Sequence, residues 1–257
     1  MASKKESFLG TIGFVVAVCL VCAALVSVSA VGLKDRQVAN KLLDQQTKIL
    51  EAAGLLELGN EDGIVATYNK FITAKMIDLD SGEYIEGNPD MFEERRDARD
   101  VNKSIKPEDD IAGINRRANS AVVYLVRNGS GNIDTVILPI VGSGLWDLMY
   151  GFIGLEADVN TVKSVVYSDH KETPGLGAEV MNPNWKALWP GKKMYNEQGD
   201  IAIRIVKGNA KKDDIHGVDG LSGATLTSVG VEKTIHFWLG EEGYGPYIAN
   251  LREKGLN

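Results

Sequence analysis

The chain predicts an α+β fold: a single N-terminal transmembrane helix followed by one soluble domain with a largely antiparallel sheet and flanking helices. Three observations carry this expectation. The run Phe8 to Leu33 holds 26 residues with no ionisable side chain apart from two cysteine thiols. The segment Ala121-Val122-Val123-Tyr124-Leu125-Val126, the turn Asn128-Gly129-Ser130-Gly131-Asn132 and the return Ile133 to Val141 read as a β-hairpin by both turn chemistry and pattern. Further strand-like runs follow in a row, while helical periodicities gather at the two ends, which is an α+β arrangement.

As a helix the apolar run would reach about 39 Å, longer than the ~30 Å hydrocarbon core, so it predicts a tilted membrane span over residues 8–33. Val28-Ser29-Ala30 resembles a signal cleavage site, but a signal peptide's apolar stretch is shorter, roughly 7–15 residues, which favours an uncleaved anchor. Lys4 and Lys5 precede the run, and Lys34, Asp35 and Arg36 follow it, so charge orients the span only weakly. Gly13 and Ala17, then Ala23 and Ser27, are small residues four apart, a spacing that serves either close helix docking in lipid or a plain anchor. No carboxylate, histidine or basic group lies within the span, so it offers no ion relay across the bilayer. Cys19 and Cys22 read as small apolar residues, because a Cys-x-x-Cys metal site needs two more ligands that the span lacks.

Residues 34–257 form the expected soluble domain. Val38, Leu42, Leu43, Ile49 and Leu50 predict a helix over 37–57, and Glu61 to Phe71 a second, shorter one. Lys75 to Glu86 alternates in part, with a hairpin turn expected at Asp80-Ser81-Gly82. Gly87 to Gly113 is polar and reads as surface helix and loop. Beyond the hairpin, strands are expected at Tyr150–Glu156, Thr161–Tyr167 and Ile201–Lys207. Repeats and low-complexity tracts are absent.

The net charge is −7; residues 1–33 contribute Lys4, Lys5 and Glu6, or +1, so residues 34–257 carry −8. So acidic a domain argues against nucleic acid, whose phosphates call for clustered Lys and Arg. Glu93-Glu94-Arg95-Arg96-Asp97-Ala98-Arg99-Asp100 reads as a solvated helix face, not a basic patch. His170, His216 and His236 show no paired ligand spacing, so no metal site is expected.

Asp219-Gly220-Leu221-Ser222-Gly223-Ala224-Thr225 is the most telling stretch. A threonine hydroxyl follows a small-residue turn and opens a helix-like run to Leu239 that places Val231, Ile235, Trp238 and Leu239 near one face. Such a start aims unpaired N–H groups and the positive end of the helix dipole at whatever lies beside Thr225, a geometry that suits phosphate. An ordinary serine-capped helix start without a ligand fits these residues equally well. A second stretch, His170-Lys171-Glu172-Thr173-Pro174-Gly175-Leu176-Gly177, reads as a rigid turn after an extended segment. Gly142-Ser143-Gly144-Leu145-Trp146-Asp147 reads either as a loop over a flat ligand or, taken alone, more readily as a strand end whose Trp fills the core.

Glu-Thr-Pro-Gly-Leu-Gly together with Ser-Gly-Ala-Thr resembles the FMN-binding domain family of bacterial membrane respiratory complexes. Length and layout are similar to the C subunits of sodium-translocating NADH:quinone oxidoreductases, over essentially the whole chain. The resemblance implies covalent FMN, carried through a phosphoester on Thr225, with Ser222, Gly223 and Ala224 around the phosphate. It implies flavin contact by Leu145 and Trp146, apolar contact by Leu176, and hydrogen-bonding groups from Glu172 and Thr173. Threonine is a poor nucleophile by itself, so attachment requires activation, supplied in the family by a separate flavin transferase that uses FAD. Asp219 is a candidate contact for that enzyme or its metal, and equally a turn-forming Asp before Gly220. The implied protein is one of several subunits in an inner-membrane, sodium-pumping oxidoreductase, with its soluble domain in the periplasm and the sodium carried by its partners. No dinucleotide or nucleophile-elbow motif occurs, so NADH is not expected to bind here and no side chain is expected to be catalytic. Two alternatives stand beside this: the equivalent flavoprotein of an Rnf-type ferredoxin:NAD oxidoreductase, and a non-redox periplasmic anchored binding or scaffold protein.

Overall fold

The computed structural model describes residues 8–256. Lys4 and Lys5, the flanking charges on the N-terminal side, lie outside the described residues. Two compact units divide between Asp44 and Gln45.

Helix α1 runs unbroken over Phe8–Ala53, 46 residues. The sequence predicts two helices here, with the membrane segment ending at Leu33. They are one because Lys34-Asp35-Arg36-Gln37 contains neither proline nor glycine and these residues tolerate helix well. The most apolar 18-residue window of α1 has a mean hydropathy of 2.8 and none of it is buried, so by length and composition it is a candidate membrane span. The helix stops at Gly54, whose φ of +72° is readily open only to glycine; Leu55 N–H reaches back to Leu50 O at 2.8 Å, closing a Schellman-type end. The expected helix over 61–71 is instead two, α2 (Leu56–Asp62) and α3 (Ile64–Phe71), separated by Gly63 at φ +96°.

In the second unit, β1 (Ile72–Asp78) and β2 (Tyr84–Ile85) form the expected hairpin around Asp80-Ser81-Gly82. A short helix α4 (Glu94–Asp97) and a small antiparallel pair follow, β3 (Ser104–Ile105) with β4 (Arg117–Ala118); two-residue strands leave no periodicity to read. The main strands are β5 (Ser120–Arg127), β6 (Ile133–Ser143), β7 (Leu148–Glu156) and β8 (Val162–Asp169). The six-stranded sheet has the order β2-β1-β5-β6-β7-β8, antiparallel throughout. Then come α5 (Pro183–Lys186), β9 (Arg204–Val206), β10 (Gly217–Asp219), α6 (Thr225–Leu239) and α7 (Gly245–Lys254). The strand expected at 201–207 shrinks to β9 and pairs in parallel with β10, the one departure from antiparallel pairing among the described residues.

Both faces of the sheet are covered, which is why β5 reads as a continuous apolar run and not as an alternation. Val122, Tyr124 and Val126 pack with Ile49, Leu50, Ala52 and Ala53 from the last turns of α1. Val123 and Leu125 point the other way, into a core shared with Val231, Ile235, Phe237 and Trp238 of α6 and Tyr247 and Ile248 of α7. Polar ties hold the α1 side: Ser164 Oγ donates to Ala52 O at 2.6 Å, and Lys186 pairs with Glu51. On the α6 side, Trp238 Nε1 donates to Val141 O at 2.7 Å.

Candidate functional site

Helix α6 lies close against the end of β6 because glycines meet backbone or hydroxyl there. A Cβ on Gly230 would collide with the Ser143 carbonyl, and one on Gly142 with Thr234 Oγ1. A lone glycine inside a helical run is a signal of close approach, so Gly230 was legible as a packing residue. This contact sets the N-terminus of α6 beside the Gly144–Trp146 loop.

Thr225 is the first residue of α6 and is exposed. The cap is Ala224, with no side-chain hydrogen bond, so the serine-capped start is not what forms. Ser228 Oγ turns back to accept from Leu221 N at 2.9 Å, fixing the preceding turn. Among the described residues, no protein acceptor meets the N–H groups of Thr225, Leu226 and Thr227. Ser222 and Gly223 are exposed, and Gly223 sits at φ +73° with Leu176 Cδ2 only 3.0 Å from where a Cβ would be. Free donors, an exposed hydroxyl and a turn of small residues fit a phosphate group.

Glu172 joins the three loops. It is 5% exposed; Oε1 accepts from Leu145 N at 2.9 Å and Trp146 N at 3.1 Å, and Oε2 accepts from Thr227 Oγ1 at 2.5 Å. The resemblance implies hydrogen-bonding groups from Glu172 and Thr173 towards the flavin; in the protein itself both Glu172 oxygens already accept from donors that converge from two distant elements. Thr173 stays exposed, its Oγ1 accepting from Trp146 Nε1 at 3.1 Å. Trp146 is 67% exposed, so it does not fill the core; Leu145 and Leu176 are exposed as well. Leu226 and Val229 on α6 add to this apolar surface and were not singled out in the sequence. A cleft of about 260 Å³ adjoins it, lined in part by Gly144, Leu145, Leu226, Val229 and Lys233.

Asp219 ends β10 half-buried. Its Oδ1 accepts from Ala210 N at 2.8 Å and its carbonyl accepts from Trp185 Nε1 at 2.9 Å, so it shapes the loop before the turn. Beside the Trp loop, Asp147 and Lys171 pair at 2.5 Å; Lys171, through its hydrogen bond, holds the Asp147 carboxyl below its ordinary value. Among the described residues no His, Cys, Asp or Glu cluster could hold a metal ion.

The FMN-binding domain family matches residues 144–240, a span that opens at the Gly144 loop and closes just past α6. The C subunit of the Na(+)-translocating NADH-quinone reductase of Vibrio alginolyticus is 47% identical over 259 residues, covering 100% of both chains. The chain belongs to this C-subunit family. The Yersinia pestis relative is 48% identical over 265 residues, covering 100% of this chain and 99% of its own. The crystal structure of Shewanella oneidensis NqrC superposes with a TM-score of 0.80 at 39% identity, covering 84% of this chain and 99% of that one. Family membership makes the chain part of an oxidoreductase complex of the membrane, and neither the Rnf-type nor the cofactor-free alternative is favoured by these relatives.

Proposed function

We propose that this chain is a membrane-anchored flavoprotein subunit that bears FMN as a phosphoester on Thr225 and relays electrons within a sodium-pumping NADH:quinone oxidoreductase. The observation that carries this reading is Thr225 itself, an exposed hydroxyl at the head of a helix whose first N–H groups lack protein acceptors. When bound, FMN supplies the electron-carrying chemistry that side chains do not.

This chain's own residues supply placement. The start of α6 and the Ser222-Gly223-Ala224 turn hold the phosphate by backbone donors and the helix dipole. Leu145, Trp146 and Leu176 provide an apolar, partly aromatic wall for the isoalloxazine, and Thr173 steadies the indole. Glu172 braces the wall to α6. In attachment, Thr225 Oγ1 gives up its proton and takes the FMN phosphoryl from FAD; the pyrophosphate bond breaks and AMP leaves. A flavin transferase supplies the activation, and Asp219, whose Oδ2 has no protein donor among the described residues, is available to that enzyme or its metal. Residues 8–33 cross the inner membrane and residues 34–257 form the FMN-binding domain on the periplasmic side. Protease added to spheroplasts should then degrade the domain; protection would place it in the cytoplasm.

Intact mass of protein expressed with a flavin transferase tests the assignment. The expected gain is one FMN less one water, with a fluorescent band on a denaturing gel. Thr225→Ala should abolish both, and fluorescence that survives this substitution rules out the phosphoester at Thr225.

A further inference from the structure

A second cleft, of about 350 Å³, lies beyond the Trp loop and takes its lining from Glu94, Arg95, Arg99 and Arg116 over a floor of Ile114, Val141, Leu148 and Tyr150. Its size is at the low end for small-molecule sites, roughly 300–1,000 Å³. The charged stretch 93–100, which the sequence presents as a solvated face, turns Arg95 and Arg99 to this hollow from successive turns. Arg116 joins them from just before β4.

The guanidiniums are not equivalent. Arg95 lies 3.6 Å from the centroid of the Tyr150 ring and pairs with Asp169 at 2.5 Å. Arg116 is held by neutral groups, donating to Ser104 Oγ at 2.8 Å and Ser104 O at 2.5 Å. Neither Arg99 nor Arg116 has a carboxylate within ion-pair distance among the described residues. Glu94 is the one carboxylate lining the cleft; burial pushes its carboxyl upward from the ordinary value, with Arg95 acting in the opposite direction. In a domain of net charge −8, unpaired guanidiniums gathered around one hollow are out of character. Like charges four residues apart repel, and a bound anion relieves that repulsion. Two forks from the 93–100 stretch and a third from the far side, just before β4, match the several oxygens of a phosphate better than the two of a carboxylate.

We propose that this cleft binds a phosphate-bearing anion, either a free small phosphate ester or the headgroup of an acidic phospholipid, with the apolar floor taking the attached carbon. The proposal is independent of the flavin assignment. Calorimetric titration of the flavinylated full-length chain in detergent with inorganic phosphate should give saturable binding, weakened at least tenfold by Arg99→Gln. The Arg99 side chain makes no hydrogen bond or ion pair among the described residues, so that variant keeps the fold; Arg116→Gln gives a second reading. Native mass spectrometry with added phosphatidylglycerol separates the sources: lipid retention that falls in Arg99→Gln, with inorganic phosphate silent, assigns the headgroup. Succinate binding as tight as phosphate overturns the phosphate assignment. Absence of both phosphate and lipid binding, or binding that Arg99→Gln leaves unchanged, overturns the site.

Discussion

Two hollows flank the same piece of chain and differ in almost everything else. The one beside α6 is lined by Ile111, Ala112, Gly113, Ser143, Gly144 and Leu145, with Lys233 its one charged group; the other is lined by Ile114, Asn115 and Arg116, then Val141, Leu148 and Tyr150, with three arginines. Segment 111–116 and the β6–β7 hairpin therefore serve both, the turn on the α6 side and the strands on the arginine side. On the α6 side the donors are backbone N–H groups and the surroundings apolar, an arrangement suited to the phosphoester proposed at Thr225. On the arginine side the donors are charged side chains, suited to reversible binding that weakens with salt. Substitutions should separate the two.

The largest difference is expected for Thr225→Ala, which should remove all covalent flavin yet leave phosphate binding at the arginine cleft intact; Arg99→Gln should do the reverse, and mass spectrometry with calorimetry reads both. Next comes Gly230→Val. Its side chain must push α6 away from the Ser143 carbonyl, a backbone clash that costs about 2–3 kcal/mol in denaturant unfolding and lowers flavin loading. Glu172→Ala strands Leu145 N, Trp146 N and the Thr227 hydroxyl, for a loss of about 2 kcal/mol, whereas Glu172→Gln retains an acceptor for the loop and should lose less. The arginine cleft should respond to neither.

The smallest effect is one of pH, and it reads the α1 side of the sheet. Burial of Glu51 opposes its ionisation, but hydrogen bonding to Lys186 and the charges of Lys48 and Lys186 outweigh this and leave its pKa below the ordinary 4.5. A depressed folded-state value means stability that is present above pH 4.5 and lost as pH falls through the folded value. Lys186→Met should therefore flatten part of the acid limb of a Tm–pH curve, with the flavin and phosphate readouts unmoved.

Much of the site was legible because its signals are local. The hairpin showed itself by turn residues between apolar runs, and α6 starts and ends where its pattern placed it, at Thr225 and Leu239. Val231, Ile235, Trp238 and Leu239 face the core as their spacing requires. Less was legible where two readings share one pattern. Trp146 is outside the core because Glu172 anchors its loop by main-chain bonds, and a run of Gly-Leu-Trp carries no trace of a glutamate 26 residues away. The charged stretch 93–100 is a solvated face as it reads, with none of its residues buried, but nothing local shows that it faces Arg116 across a cleft.

By itself, the order of residues determined an apolar span, a sheet with helices at its ends, and a threonine at the head of a helix, since periodicity and turn chemistry act within a few positions. Tertiary structure alone decided that Glu172 ties the Leu145–Trp146 loop to α6, that β9 and β10 run parallel, and that arginines meet in a cleft. Those outcomes depend on partners such as Thr227 and Glu172, 55 residues apart, whose encounter is set by packing against a shared sheet and not by any local preference.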